Sequence, residues 1–78
     1  MSVFQFKEEA QTIIVKEFVT RNYPRVMFQP ELPSDLSDWE VHYEVTDFIN
    51  QRKYRAFIKQ VPTDYLPEIH CFLEKTRI

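Results

Sequence analysis

One segment is long enough and free enough of proline to form a substantial helix, and it constrains the fold more than any other. It spans residues 4–22 and ends at Tyr23-Pro24, because the residue before a proline resists the helical conformation. Five apolar residues follow the spacing of one helical face: Phe6, Ala10, Ile13, Ile14 and Phe18. The sequence therefore predicts an N-terminal helix over residues 4–22, with this stripe packed on a sheet.

The rest of the chain is typical of short strands separated by proline-containing loops. The predicted strands are residues 25–29, 39–46, 54–61 and 68–75. In the second strand, one face carries Trp39, Val41, Tyr43 and Val45. A two-residue connection at residues 50–51 would pair Val45 with Ala56, with the apolar faces of both strands on one side. A four-residue connection would keep the same faces, so the pattern predicts a hairpin and leaves its register open.

These elements predict a single α+β domain over residues 1–78. One N-terminal α-helix packs on a curled antiparallel sheet of three to four strands, in the order α-β-β-β-β. This layout is similar in outline to cystatin-like folds and to the helix-then-hairpin arrangement of PepSY modules. The chain carries the diagnostic motifs of neither family, so the resemblance is one of topology and implies no function.

The composition excludes several classes of function. The chain has no glycine, which removes the glycine-based phosphate loops and the glycine-flanked nucleophile elbow. A single cysteine, Cys71, excludes an intramolecular disulfide and a multi-cysteine zinc site. A net charge of −2 argues against general nucleic-acid binding. The start MSVFQFKEEA predicts no signal peptide, and no membrane-spanning run is present. We expect a cytoplasmic protein without a cofactor.

Few residues are candidates for catalysis or metal binding. His42 and His70 fall on strands separated by a third, roughly 9–10 Å apart, which is too far to share a zinc ion. Cys71 lies in an apolar pattern typical of a core thiol. Glu17 falls within the predicted apolar stripe, where a buried carboxylate could act as a general base. Pairing with Arg21 at the rim of the sheet is the favoured alternative. We therefore assign no catalytic or metal-binding residue.

Three features indicate contact with a partner. Residues 26–51 contain six acids and neither Lys nor Arg, whereas Arg52, Lys53, Arg55 and Lys59 follow without an acid. This segregation predicts either cross-strand attraction or a basic hairpin tip that contacts an anion. His42, Phe57 and Phe72 are predicted to be exposed on the sheet face away from the helix. Val15 and Val19 widen the apolar arc of the helix, which indicates a docking surface on its second side.

The sequence thus favours a non-catalytic protein that binds another protein, as an inhibitor, an antitoxin, a phage-type regulator or a small subunit of an assembly. A second copy of the chain bound through the helix is one form of such a partner. The predicted partner-binding residues are Val15, Val19, His42, Arg52, Lys53, Arg55, Phe57 and Phe72. Two alternatives remain: a small enzyme or ligand binder that uses Glu17, and nucleic-acid contact through the basic hairpin tip.

Overall fold

The computed structural model describes residues 10–78 and has the predicted order of elements. The elements are α1 (Ala10–Asn22), β1 (Met27–Phe28), β2 (Glu40–Asp47), β3 (Arg52–Val61) and β4 (Glu68–Arg77). The predicted α+β class, with one helix on a four-stranded sheet, is confirmed. The part of the predicted helix before Ala10, including Phe6, lies outside the described residues.

Helix α1 ends where the sequence predicts. The backbone N–H of Tyr23 donates to the carbonyl of Val19 at 2.8 Å, which closes the last turn before Pro24. The Asn22 side chain donates to the carbonyl of Phe18 at 3.0 Å. This bond adds a side-chain contact to the last turn of the helix.

The sheet is mixed, with strand order β1-β4-β3-β2. β3 pairs antiparallel with β2 on one side and with β4 on the other. β1 adds to β4 in parallel through two pairs, Met27 with His70 and Phe28 with Cys71. The predicted first strand therefore exists in shortened form, and its direction makes the sheet mixed rather than wholly antiparallel.

The β2–β3 hairpin has the four-residue connection that the sequence left open. Residues 48–51 join the strands, and Val45 lies opposite Tyr54. The pairing of Val45 with Ala56 across a two-residue turn is therefore wrong by two positions. Because side chains alternate with a period of two, this shift keeps Val45 and Tyr54 on the face that packs against the helix.

A β-bulge between Val41 and Tyr43 changes which side chains share a face. Tyr43 lies opposite Ala56, but Val41 lies opposite Phe57 on the other side of the sheet. The prediction that Trp39 and Val41 share a face with Tyr43 is therefore wrong. A bulge inserts one extra residue into a strand, so the side chains that precede it point to the other face.

The helix buries a different face from the predicted one. Val15 and Val19 are fully buried, whereas Ile13, Ile14 and Phe18 are 42–44% exposed. The valines join a core cluster that also contains Tyr54, Ala56, Ile58 and Cys71. Apolar residues occur on several sides of α1, so their spacing alone does not select the buried face. The predicted stripe is therefore wrong for its three described isoleucine and phenylalanine residues.

A second, smaller core lies on the opposite face of the sheet. β1 and β2 are at opposite edges, so the segment that joins them must cross the sheet. The Trp39 ring at its end packs edge-on against Phe72 at 5.2 Å, and Phe72 stacks on Phe57 at 4.7 Å. Phe57 and Phe72 are 8% and 3% exposed, so the prediction that they form an exposed patch is wrong.

Candidate functional site

The hairpin tip, residues 48–51, is held in one shape by Asp47. One carboxylate oxygen of Asp47 accepts from the backbone N–H groups of Ile49 and Asn50, each at 3.2 Å. The other oxygen accepts from the Asn50 side-chain amide at 2.8 Å. Asp side chains stabilise turns through such local bonds. The tip is therefore a fixed loop at the end of the sheet.

The hairpin tip presents large apolar side chains to solvent. Phe48 is 80% exposed and Ile49 is 92% exposed. The N–H of Ile78 donates to the carbonyl of Gln51 at 3.1 Å, which brings a third exposed apolar residue to the same end of the sheet. Turns are usually polar. Phe48 and Ile49, which lie between two predicted strands, were therefore a sequence signal for an apolar tip, and the prediction of a basic tip overlooked it.

Gln51 completes the tip in a left-handed conformation, with φ at 55°. For a residue other than glycine, this conformation is sparsely populated and costs on the order of 1 kcal/mol. Arg52 follows, and its guanidinium donates to the carbonyls of Asn50 and Gln51 at 3.0 and 3.4 Å. The surrounding hydrogen bonds thus hold a strained residue at the end of the loop.

The electrostatics of the tip favour an ionised Asp47. Hydrogen bonds from the side chain and then the backbone of Asn50 hold the pKa of Asp47 below its ordinary value of 3.8, against the opposing effect of burial. Asp47 also lies opposite Arg52 in the β2–β3 ladder. The carboxylate therefore carries a charge at neutral pH and accepts hydrogen bonds from Ile49 and Asn50.

The predicted basic residues of the tip interact largely within the chain. Lys53 lies 3.6 Å from the carboxylate of Glu44. The guanidinium of Arg55 donates from Nε to Glu74 at 2.7 Å and also contacts the same oxygen through Nη2. The Lys53 contact with Glu44 is the cross-strand attraction within the hairpin that the sequence offered as one interpretation. Arg55 instead pairs with an acid of β4, and Arg52 donates to backbone carbonyls of the turn.

His42 lies apart from the aromatic pair with which the sequence grouped it. Its ring packs edge-on against Tyr23 at 5.9 Å, near the end of the helix. It also borders an open cavity of about 680 Å³ that Asp38, Glu40 and Lys59 help to line. The predicted surface of His42, Phe57 and Phe72 therefore does not exist as a unit, because the bulge beside His42 separates the faces.

The predicted docking face of the helix is also different from the observed exposed face. Val15 and Val19 are both 0% exposed, so their assignment to a free second side of the helix is wrong. Ile13, Ile14 and Phe18 occupy the exposed positions instead. The ring of Phe18 stacks on Tyr43 of β2 at 6.3 Å, which places this apolar surface beside the edge of the sheet.

Glu17 is exposed and does not have the buried environment that a general base with a raised pKa would require. It lines a groove of about 450 Å³ between the helix and Phe28. The other described residues along this groove are Ile13, Lys16, Thr20 and Arg21. They supply no second carboxylate and no histidine, so nothing in this groove supports the enzyme alternative.

Cys71 and His70 have local structural roles. Cys71 is buried in the core, as predicted, and burial raises the pKa of its thiol to about 12. The two ring nitrogens of His70 lie 2.8 Å from the Gln29 amide and 3.1 Å from Glu68. In the described part of the chain, no three His, Cys, Asp or Glu residues come together in a group that could hold a metal ion.

No family model, curated protein or solved structure matches this chain. Within residues 10–78, no helix has both the length and the apolar character needed to cross a membrane. The candidate site is therefore defined by geometry alone. It consists of the apolar hairpin tip and, next to it, the open edge of β2 with the exposed side of the helix.

Proposed function

We propose that the protein acts by binding another protein, and that the hairpin tip is its principal contact. The observation that carries the proposal is the exposure of Phe48 and Ile49, at 80% and 92%, on a turn that Asp47 holds in place. Exposed clusters of large apolar residues mark interaction sites on soluble proteins. An inhibitor, an antitoxin, a regulator or a subunit of an assembly would act through such a surface.

Pre-organisation supports the choice of the tip. A contact loop that is already ordered loses less conformational entropy on binding. The hydrogen bonds of Asp47 supply this order, and Gln51 is held in a left-handed conformation at the same place. Backbone strain of this kind is concentrated at functional positions. Phe48 and Ile49 would then act as anchors that enter a pocket on the partner.

The experiment compares two double variants, each of which replaces two exposed apolar residues by serine, at opposite ends of the sheet. Phe48→Ser/Ile49→Ser alters the tip, and Tyr65→Ser/Leu66→Ser alters the loop between β3 and β4, where the residues are 93% and 70% exposed. Each tagged protein is used to capture partners from a lysate of its native host, followed by mass spectrometry and by binding measurements with the purified partner.

We expect the wild type and the Tyr65→Ser/Leu66→Ser variant to capture the same protein, and the tip variant to lose it. Loss of two central anchors should weaken binding by about a hundredfold or more. Circular dichroism of each variant checks that the fold is intact. Equal capture by all three proteins would overturn the role of the tip, and no specific capture by the wild type would overturn the function.

The nucleic-acid alternative has less support. Lys53 and Arg55 contact carboxylates, and Arg52 donates to the turn, so their interactions within the chain would compete with phosphate. Nucleic-acid binding through these residues would weaken steeply as salt is raised. Partner binding through Phe48 and Ile49 should change little with salt, because burial of apolar surface is its main source of affinity.

A further inference from the structure

β2 is an edge strand along its whole length. The sheet order leaves its outer side without a neighbouring strand among residues 10–78. Alternate backbone N–H and C=O groups of an edge strand point outward and can pair with another extended chain. The bulge at His42 leaves a regular five-residue ladder over residues 43–47. The edge is therefore long enough to template a short added strand.

An apolar surface lies beside this edge on the helix side. The helix packs over β2 and β3, and it carries Ile14 and Phe18 at 42% and 44% exposure. These residues are four apart, so they lie on the same helical face. The stacking of Phe18 on Tyr43 places them next to the outer edge of β2. A strand added there would find apolar contacts for the side chains that point toward the helix.

The charge of β2 indicates the composition of the added strand. β2 carries Glu40, Glu44 and Asp47, and residues 26–51 contain neither Lys nor Arg. Glu44 contacts Lys53, yet its side chain is 48% exposed, and that of Glu40 is 84% exposed. A second copy docked through the same edge would bring the acidic side chains of its own β2, including Glu44, to this edge. Opposite charges on neighbouring strands attract and like charges repel, so a basic strand fits better.

We propose that the outer edge of β2 binds an extended segment of another protein in which Lys or Arg alternates with apolar residues. The apolar side chains pack against Ile14 and Phe18, and the basic side chains lie on the opposite face, beside Glu44. Backbone hydrogen bonds supply affinity in this mode, and the alternating side chains supply selectivity. This proposal rests on the proposed function in one respect, that the partner is a protein. The surface that it assigns is separate from the hairpin tip.

The first test uses fluorescein-labelled heptapeptides and fluorescence anisotropy. We expect the chain to bind a capped peptide of alternating Lys and Val, and to bind the matching Glu and Val peptide at least about tenfold more weakly. The Lys and Val peptide with every backbone nitrogen methylated should also lose at least about tenfold in affinity, because it cannot donate to the strand. Equal binding of the methylated peptide would overturn the proposal.

The second test maps the Lys and Val peptide on the protein. Glu44→Gln should weaken binding by about two- to fivefold, the size of one cross-strand ion pair. Glu31→Gln makes the same change in net charge away from β2 and should leave binding unchanged. An equal effect of both variants would overturn the assignment of the site. A dimer of the chain that Glu44→Gln strengthens would identify a second copy as the occupant instead.

The two proposals can fail independently. Phe48→Ser/Ile49→Ser should bind the Lys and Val peptide with unchanged affinity, because the tip is outside the β2 ladder. Partner capture that depends on the tip, together with an absence of peptide binding, would refute strand addition alone. Peptide binding by a chain that captures no protein would refute the proposed function and leave the β2 site in place.

Discussion

Asp47 is the residue on which the shape of the hairpin tip depends most directly. Tight turns commonly use glycine where the backbone becomes left-handed, and this chain contains no glycine. Gln51 takes the left-handed position instead. The hydrogen bonds that Asp47 accepts from Ile49 and Asn50 stabilise the loop that leads to Gln51. A single side chain thus compensates for an unfavourable residue four positions later.

We expect the stabilising effect of Asp47 to disappear in acid. The pKa of Asp47 is lowered in the folded chain, so its ionised form contributes stability that is complete above the ordinary value of 3.8 and is lost as pH falls through the folded pKa. The melting temperature of the wild type should therefore decline below about pH 4. In Asp47→Asn the melting temperature should be lower at neutral pH and should decline less in this range.

A control for this titration is Asp35→Asn. Hydrogen bonds from the backbone and side chain of Ser37 also lower the pKa of Asp35. Both aspartates therefore have a lowered pKa, in different parts of the fold. Melting curves of Asp47→Asn, Asp35→Asn and the double variant should show separate, additive losses. If Asp47→Asn retained the full acid dependence of the wild type, the role given to Asp47 would be incorrect.

At the level of elements, helix α1 has one buried face and one half-exposed face, and the effect of truncating a side chain on stability should differ between them. Val19→Ala removes two methyl groups from a fully buried position and should reduce the free energy of unfolding by about 2 kcal/mol. Ile14→Ala removes more carbon atoms from a half-exposed position and should change it by about 0.5 kcal/mol or less. Both changes introduce the same helix-favouring residue, so urea denaturation of the two variants isolates the effect of burial.

The opposite result would restore the face that the sequence favoured. If Ile14→Ala cost more than Val19→Ala, the helix would pack on the sheet through Ile13, Ile14 and Phe18, and the valines would be free. The slope of the free energy against urea concentration should remain the same in both variants, because neither changes the extent of the surface exposed on unfolding.

The elements could be predicted from sequence much better than their contacts. Period-two alternation located the three long strands to within two residues at each end, and Pro24 fixed the end of the helix. The prediction of which side chains of the hairpin face the helix was also correct near Tyr43, because a register shift of two residues leaves each side chain on the same face. The bulge at His42 was not predictable, since it depends on pairing with β3 and leaves no glycine or proline in the sequence.

The candidate site was less predictable, because both faces of the sheet are covered. The prediction that Phe57 and Phe72 are exposed assumed that the sheet face away from the helix is open to solvent. Trp39 belonged to the helix face in that prediction, and the bulge moves it to the other face, where it packs on Phe72. The sequence predicted a basic tip with Arg52 and Lys53 as contact residues, whereas the large apolar residues exposed on the turn are Phe48 and Ile49.

At the level of the whole molecule, the sheet lies between two apolar layers of different kinds. One is the helix with Val15 and Val19, and the other is the second core formed by Trp39, Phe57 and Phe72. The guanidinium of Arg55 lies 5.2 Å from the centre of the Phe57 ring and extends this layer. A chain of 78 residues has little core to spare, so a crossing segment that buries aromatic rings substitutes for a second helix.

The second core should unfold together with the sheet. Trp39 is the single tryptophan of the chain, so its fluorescence reports on the crossing segment, whereas far-ultraviolet circular dichroism reports on the helix and sheet. We expect both signals to have the same urea midpoint, as a cooperative small domain requires. Trp39→Ala should lower the free energy of unfolding by about 2 kcal/mol, less than for a fully buried tryptophan because Trp39 is only half-buried.

Leu36→Ala is a matched control for this prediction, because it truncates an apolar residue of the same segment that is 37% exposed. It should change the free energy of unfolding by no more than about 0.5 kcal/mol. A fluorescence transition that precedes the dichroism transition would mean that the crossing segment detaches while the sheet persists. Phe57 and Phe72 would then be uncovered at low urea concentration, and the sheet face away from the helix would become a contact surface after all.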